Sequence, residues 1–260
     1  MIYPHGDIEE IGTDAFMVRG SIKMNRLMRI TRNMAIIREG TELSLINPIK
    51  LNVKTEAKLT SMGEVKNIIR LGAFHGVDDL YYMEKFEAQF WSQPGGKIYR
   101  EPPIDIEIGI GGLTPLQDSE FFEFRGTEEP ECALLLKRDR GILFTCDAIQ
   151  HYGDYSYNNW LAKILMPRIG FPKSTIIGPY WLKLMTPEGS SLESEFKRLL
   201  ELDFDKLLSG HGTFITHGAR GAVKKALEND EISYSRYRSY LQILEGEDEH
   251  YRTDNWEEIQ

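Results

Sequence analysis

The sequence predicts a layered α/β protein of the α+β type. Three features carry that expectation. Hairpin-linked apolar strands open the chain, strands and helices then alternate, and several strands end abruptly at histidine or carboxylate residues. A length of 260 residues with 41% hydrophobic content suits one large domain with a sizeable core.

Residues 15–24 and 27–39 read as strands, with Asn25 near the turn between them, and 43–46 as a third strand. Together they suggest an antiparallel sheet at the start. Residues 52–62 have helical composition, and Gly63 offers a stop. The apolar run 65–71 predicts a buried strand that enters Leu71-Gly72-Ala73-Phe74-His75-Gly76-Val77-Asp78-Asp79, with a helix over 80–90 directly after it. A short strand is expected at 88–93, and 97–120 is rich in Gly and Pro and mostly irregular. Strands are expected at 120–124, 132–137 and 141–146, the last two joined by the turn Arg138-Asp139-Arg140-Gly141. Helices follow at 158–165, stopped by Pro167, at 190–202 with one apolar face, and at 220–229. The domain is therefore drawn over 1–230. The aromatic and acidic stretch 231–260 is a C-terminal extension, its first half a helix packed on the domain or a second subunit, its remainder a solvated tail.

Charge narrows the partners. The net charge is −9, which disfavours a phosphate backbone, and the basic residues near Lys23–Arg38 alternate with Met, Leu and Ile as a half-exposed strand pair would. Cys132 and Cys146 are the only cysteines, so no disulfide framework is implied and a reducing cytoplasm is the default. The first ten residues are polar and acidic, unlike a signal peptide, and no apolar run is long enough for a membrane span. The expected partner is a small-molecule substrate, with no nucleic acid, no membrane and a homodimer as an option.

Three strand ends carry ligand-type side chains. His75 to Asp79 follow the 65–71 strand, Asp147 ends Ile142-Leu143-Phe144-Thr145-Cys146-Asp147, and His211 ends Leu207-Leu208-Ser209-Gly210-His211-Gly212. Such positions at the carboxyl edge of a sheet are where layered α/β proteins place ligands. Histidine and carboxylate together are ligands for zinc, iron and manganese. The competing reading of Asp78 and Asp79 is helix capping, which favours Asp at the same place.

With these residues in hand, the chain resembles the metallo-β-lactamase-fold superfamily from about residue 15 to 229. Leu143-Phe144-Thr145-Cys146-Asp147-Ala148 is similar to the family's LFTGDA stretch, whose Asp bridges two metals. Leu208-Ser209-Gly210-His211-Gly212 is similar to its PGHG stretch, which gives the last His ligand. The resemblance implies an αββα sandwich of two mixed β-sheets flanked by helices, and hydrolysis of an ester, thioester, amide or phosphoester. The family's H-x-H-x-D-H signature is degenerate here. A register on Asp78 gives Phe74, Gly76, Asp78 and Asp79, and a register on His75 retains His75 and Asp79. The third family His has no counterpart, and Glu128 stands nineteen residues before Asp147. The resemblance thus implies metal ligands His75, Asp79, Glu128, Asp147 and His211, with Asp147 and Asp79 in the catalytic roles. A carboxylate-rich set tilts the cofactor toward iron or manganese beside zinc, as one divalent ion or none. The alternative is a non-catalytic protein that kept the fold, lost the metal and acts as a binding or assembly module.

Overall fold

The computed structural model describes residues 1–229. The extension expected at 231–260 lies outside the described residues. A seven-stranded sheet opens the chain, formed in sequence order by β1 (Glu9–Gly12), β2 (Ala15–Lys23), β3 (Arg29–Glu39), β4 (Glu42–Ile46), β5 (Glu64–Ile69), β6 (Gln89–Ser92) and β7 (Ile106–Glu107). The first four strands are antiparallel, as the hairpin reading expects. Asn25 fixes the β2–β3 turn, because its side-chain oxygen accepts the Leu27 and Met28 amides. From β4 onward the pairing is parallel, which requires crossovers. Helix α1 (Val53–Met62), capped by the Asn52 side chain, links β4 to β5, and α2 (Asp79–Phe86) links β5 to β6.

The second sheet has the order β13–β10–β9–β8, from β8 (Ser119–Glu123), β9 (Cys132–Leu136), β10 (Ile142–Phe144) and β13 (Lys206–Leu208). Strands β8, β9 and β10 run antiparallel, and β13 lies parallel to β10. Gly141 turns β9 into β10 at φ 81, where an added Cβ would stand 2.2 Å from the Asp203 carbonyl. Between β10 and β13 the chain forms β11 (Ile149–His151), α3 (Trp160–Leu165), β12 (Thr175–Ile177), α4 (Pro179–Met185) and α5 (Glu193–Leu199). Helix α6 (Ala219–Glu228) follows β13. Strands β11 and β12 pair with each other as a two-stranded sheet.

Packing explains the layering. Ile37, Ile46 and Ile69 of the first sheet meet Leu134, Leu136 and Phe144 of the second in one buried cluster. The opposite face of the first sheet packs Leu45 and Ile68 against Leu59 of α1 and Tyr82 of α2. The opposite face of the second packs Leu135 and Leu143 against Trp181, Phe196 and Val223 of α4, α5 and α6. Sheet on sheet with helices outside both is the expected αββα sandwich.

Several boundaries differ from the sequence reading. The helix expected to 90 ends at Phe86, because Glu87 takes a left-handed φ of 52 and its N–H closes onto the Met83 carbonyl. The helix expected over 190–202 spans Glu193–Leu199. Strands β1, β7, β11 and β12 and helix α4 were not expected. The strands are two to four residues long, too short for a periodic signal.

Candidate metal centre

Strands β10 and β13 are adjacent and parallel, so the segments after them leave the second sheet side by side. Asp147 and His211 lie on those segments, and His75 comes from the β5–α2 connection of the first sheet. The three side chains meet where the two sheets present the carboxyl ends of these strands. His75 Nε2 lies 3.2 Å from His211 Nε2 and 3.4 Å from Asp147 Oδ2, and His211 Nε2 lies 3.0 Å from Asp147 Oδ1. Among the described residues, this is the group of histidine and carboxylate side chains close enough to share one ion, with one ligand atom from each all within 4.8 Å of one another.

The surrounding bonds orient the cluster. His211 Nδ1 donates to the Thr31 carbonyl at 2.5 Å. A carbonyl only accepts, so Nδ1 carries a proton, and Nε2, which faces Asp147 and His75, donates to Asp147 when the ring is protonated and offers its lone pair when the ring is neutral. Gln150 Nε2 donates to both the backbone carbonyl and Oδ1 of Asp147, and Tyr152 hydroxyl donates to Gln150 Oε1. Beneath Asp147, the fully buried Glu131 accepts the Asp147 and Ala148 amides through Oε1, at 3.0 and 2.7 Å. Gly210 has no side chain because a Cβ would stand 2.9 Å from the His75 ring.

Electrostatics follow from burial and from this arrangement. Burial alone would raise the Asp147 carboxyl, but the two imidazoles carry it well below the usual carboxylate range. Burial likewise pulls both histidines down. It prevails at His75, while the Asp147 charge and hydrogen bond carry His211 above its ordinary value. Glu131 is pushed well up by burial and by the Asp147 charge next to it.

These residues fit a single divalent cation. Ligands held ~2.0–2.2 Å from a tetrahedral ion stand about 3.3–3.6 Å apart, near the separations found here. Two imidazoles and a carboxylate suit zinc, iron and manganese alike. The His75 Nδ1 atom is buried without a partner, so this ring is engaged only through Nε2.

Two other residues expected to ligate stand elsewhere. Asp79 is 1% exposed and accepts from Arg70 Nε at 2.7 Å, and Arg70 also donates to the Tyr99 and Glu101 carbonyls. Glu128 is exposed, with its amide on the Met185 carbonyl. Neither joins the cluster. Asp78 occupies the N-cap of α2 but makes no side-chain cap bond. Its Oδ2 instead accepts from Arg32 at 2.8 Å and from the Lys50 amide at 3.1 Å. Glu131 and Gln150 were not singled out from sequence. The one signal for Glu131 was a carboxylate set directly against the apolar run of β9, a place where burial is forced.

No family model matches the chain. A stretch of 33 residues is 73% identical to the small ribosomal subunit biogenesis GTPase RsgA of Flavobacterium johnsoniae, covering 13% of this chain and 10% of that protein. The protein of the same name from Flavobacterium psychrophilum is 79% identical over 33 residues, with the same coverage. The chain thus spans about a tenth of the length of the curated relatives it matches. Solved structures match far more of it. The metallo-β-lactamase FIM-1 from Pseudomonas aeruginosa, in its mono-zinc form, superposes with a TM-score of 0.60 at 11% identity, over 89% of this chain and 97% of that one. A metallo-β-lactamase from Hirschia baltica gives 0.58 at 15% identity, over 86% and 97%, and one from Erythrobacter litoralis gives 0.57 at 13%, over 89% and 96%. With two mixed sheets stacked between helices and a His/Asp cluster at their shared edge, the chain has the metallo-β-lactamase fold.

Proposed function

We propose that the chain is a metal-dependent hydrolase with a one-metal centre, acting on an ester, thioester, amide or phosphoester bond of a small molecule. The observation that supports this most is the convergence of His75, Asp147 and His211 from three separate strand ends. Three protein ligands are the number that catalytic sites use, because a further coordination position stays open for water or substrate. A divalent cation bound there would acidify a water and polarise the scissile bond. The chain's own groups have distinct tasks in this reading. His75 and His211 would hold the ion through Nε2, and the Thr31 carbonyl holds the proton on His211 Nδ1. Asp147, whose carboxyl the two imidazoles hold well below the usual range, would hold the ion and orient a water. Gln150 fixes the Asp147 carboxylate, and Glu131 fixes the backbone that carries it. Asp79 is paired with Arg70 and stands outside the cluster.

The second reading is a non-catalytic module. The low exposure of the cluster favours it, with His75 at 5% and His211 at 9%. An activity screen decides between the two. Protein loaded with zinc, manganese or ferrous iron is assayed against the four bond classes beside Asp147→Ala. Metal-dependent turnover lost in the variant is expected, and a metal-loaded wild type inert on all four supports the module.

A further inference from the structure

Exposed apolar side chains gather on one part of the surface. Leu27 and Trp160 are each 72% exposed, Ile164 is 47% and Met24 is 42%. Met24 and Leu27 lie in the β2–β3 turn, and Trp160 opens α3. The two elements are fastened together. The Asn159 side-chain amide donates to the Leu27 carbonyl at 2.7 Å, and the Asn159 backbone N–H donates to the Arg29 carbonyl at 3.0 Å. Trp160 and Ile164 are four residues apart and share a helix face. Leu161 and Leu165 take the other face, packed with Met28, Tyr155 and Phe171. The patch is rooted at the candidate metal centre, since Asn158 Oδ1 accepts from the amide and hydroxyl of Thr31, whose carbonyl holds His211.

The charge around this patch is segregated. Residues 15–38 hold six Lys and Arg and no Asp or Glu, and residues 155–187 hold four and none, in a chain of net charge −9. Arg19, Arg32 and Arg38 are neutralised by Asp154, Asp78 and Asp14. Lys23, Arg26, Lys163 and Arg168 are exposed and form no salt bridge among the described residues. A large exposed Trp, Leu, Ile and Met patch rimmed by free cations has the composition of surfaces that rest in the headgroup layer of a membrane. A nucleic acid would meet the cations but would leave three of the four apolar residues idle, because aliphatic side chains offer no stacking face.

We propose that the β2–β3 turn and the start of α3 form a docking face for an anionic phospholipid surface. Leu27 and Trp160 enter the headgroup boundary, and the four cations meet the lipid phosphates. No membrane-spanning segment is needed, and no helix among the described residues is long and apolar enough to cross a membrane. The sequence expectation of no membrane partner rests on the lack of a spanning run, which does not bear on a surface-docking face. The docking does not depend on whether the centre holds a metal.

Vesicle co-sedimentation of the full chain tests this. Vesicles of phosphatidylcholine mixed with phosphatidylglycerol are expected to bind the chain, and vesicles of phosphatidylcholine alone are expected to bind it far less. Raising the salt should release it. Trp160→Ala should weaken binding about tenfold or more, and Arg26→Gln about fivefold. Both side chains are exposed, so melting temperatures should stay at the wild-type value. Three results would overturn the proposal: no binding to the anionic vesicles, equal binding to both vesicle types, or binding unchanged in Trp160→Ala and Leu27→Ser alike. Retention on single-stranded DNA as tight as on vesicles, and indifferent to Trp160→Ala, would assign the face to a polyanion instead.

Discussion

Two sets of carboxylates occupy equivalent places in this molecule and have opposite surroundings. Asp147 follows β10 and faces two imidazoles. Asp78 and Asp79 follow β5 and face two guanidiniums, those of Arg32 and Arg70. A histidine lends a lone pair to a cation, whereas an arginine is itself the cation and keeps its proton. The Asp147 side is therefore a site that could hold an ion. On the Asp78–Asp79 side a fixed positive charge is already built into the chain. The strand-end position brings a carboxylate to the sheet edge, and the neighbouring base decides what it does there.

The largest effect expected from breaking this contrast is at Asp79. Replacing it with Ala leaves the Arg70 guanidinium buried without its counter-charge, which should cost about 3–5 kcal/mol in urea unfolding. Metal binding by the fraction that remains folded should stay at the wild-type level. Loss of metal binding from folded Asp79→Ala would show that the two sides act as one.

Glu131→Ala comes next, because it removes the acceptor of the Asp147 and Ala148 amides from a fully buried place. A cost of about 1–3 kcal/mol is expected. Amide hydrogen exchange at Asp147 and Ala148 should quicken in the metal-free protein, and Glu131→Gln, which keeps an acceptor oxygen, should restore much of the protection. Unchanged exchange in Glu131→Ala would remove Glu131 from the support of the site.

The smallest effect is at an exposed pair of ordinary type. Partial burial would raise the Asp154 carboxyl, but hydrogen bonds from Arg19 and Ser156 bring it down to about 2. A depressed carboxyl stabilises the fold above its unfolded value of about 3.9, and that contribution is lost as the pH falls through the folded value. Its side chain is 42% exposed, so screening keeps the contribution within about 1 kcal/mol. Asp154→Asn should thus be slightly less stable than wild type at pH 7, with the gap closing toward pH 2. A gap that widened in acid would contradict the pairing.

How much of this could be read from the chain depends on sequence distance. Asp147 and His211 stood out because each follows a short apolar run whose end is sharp, and β10 and β13 proved to be parallel neighbours. His75 was legible for the same reason. The partners of the aspartates were not. Arg70 lies nine residues before Asp79, directly after the end of β5, and Arg32 lies 46 residues from Asp78 on β3. Sequence patterning fixes which face a residue takes but not which distant cation it meets there. Spacing alone points to Glu128, and it sits on the exposed connection between β8 and β9.

The contrast between the two carboxylate sets reduces to whether an ion binds and on which side. Elemental analysis of the protein after loading with zinc, manganese or ferrous iron and exhaustive dialysis measures this directly, with Asp147→Ala beside wild type. One equivalent in the wild type is expected, lost in the variant, with a chelator lowering the melting temperature of the wild type alone. No retained metal, two equivalents, or a variant that keeps its ion would contradict a one-metal centre at His75, Asp147 and His211.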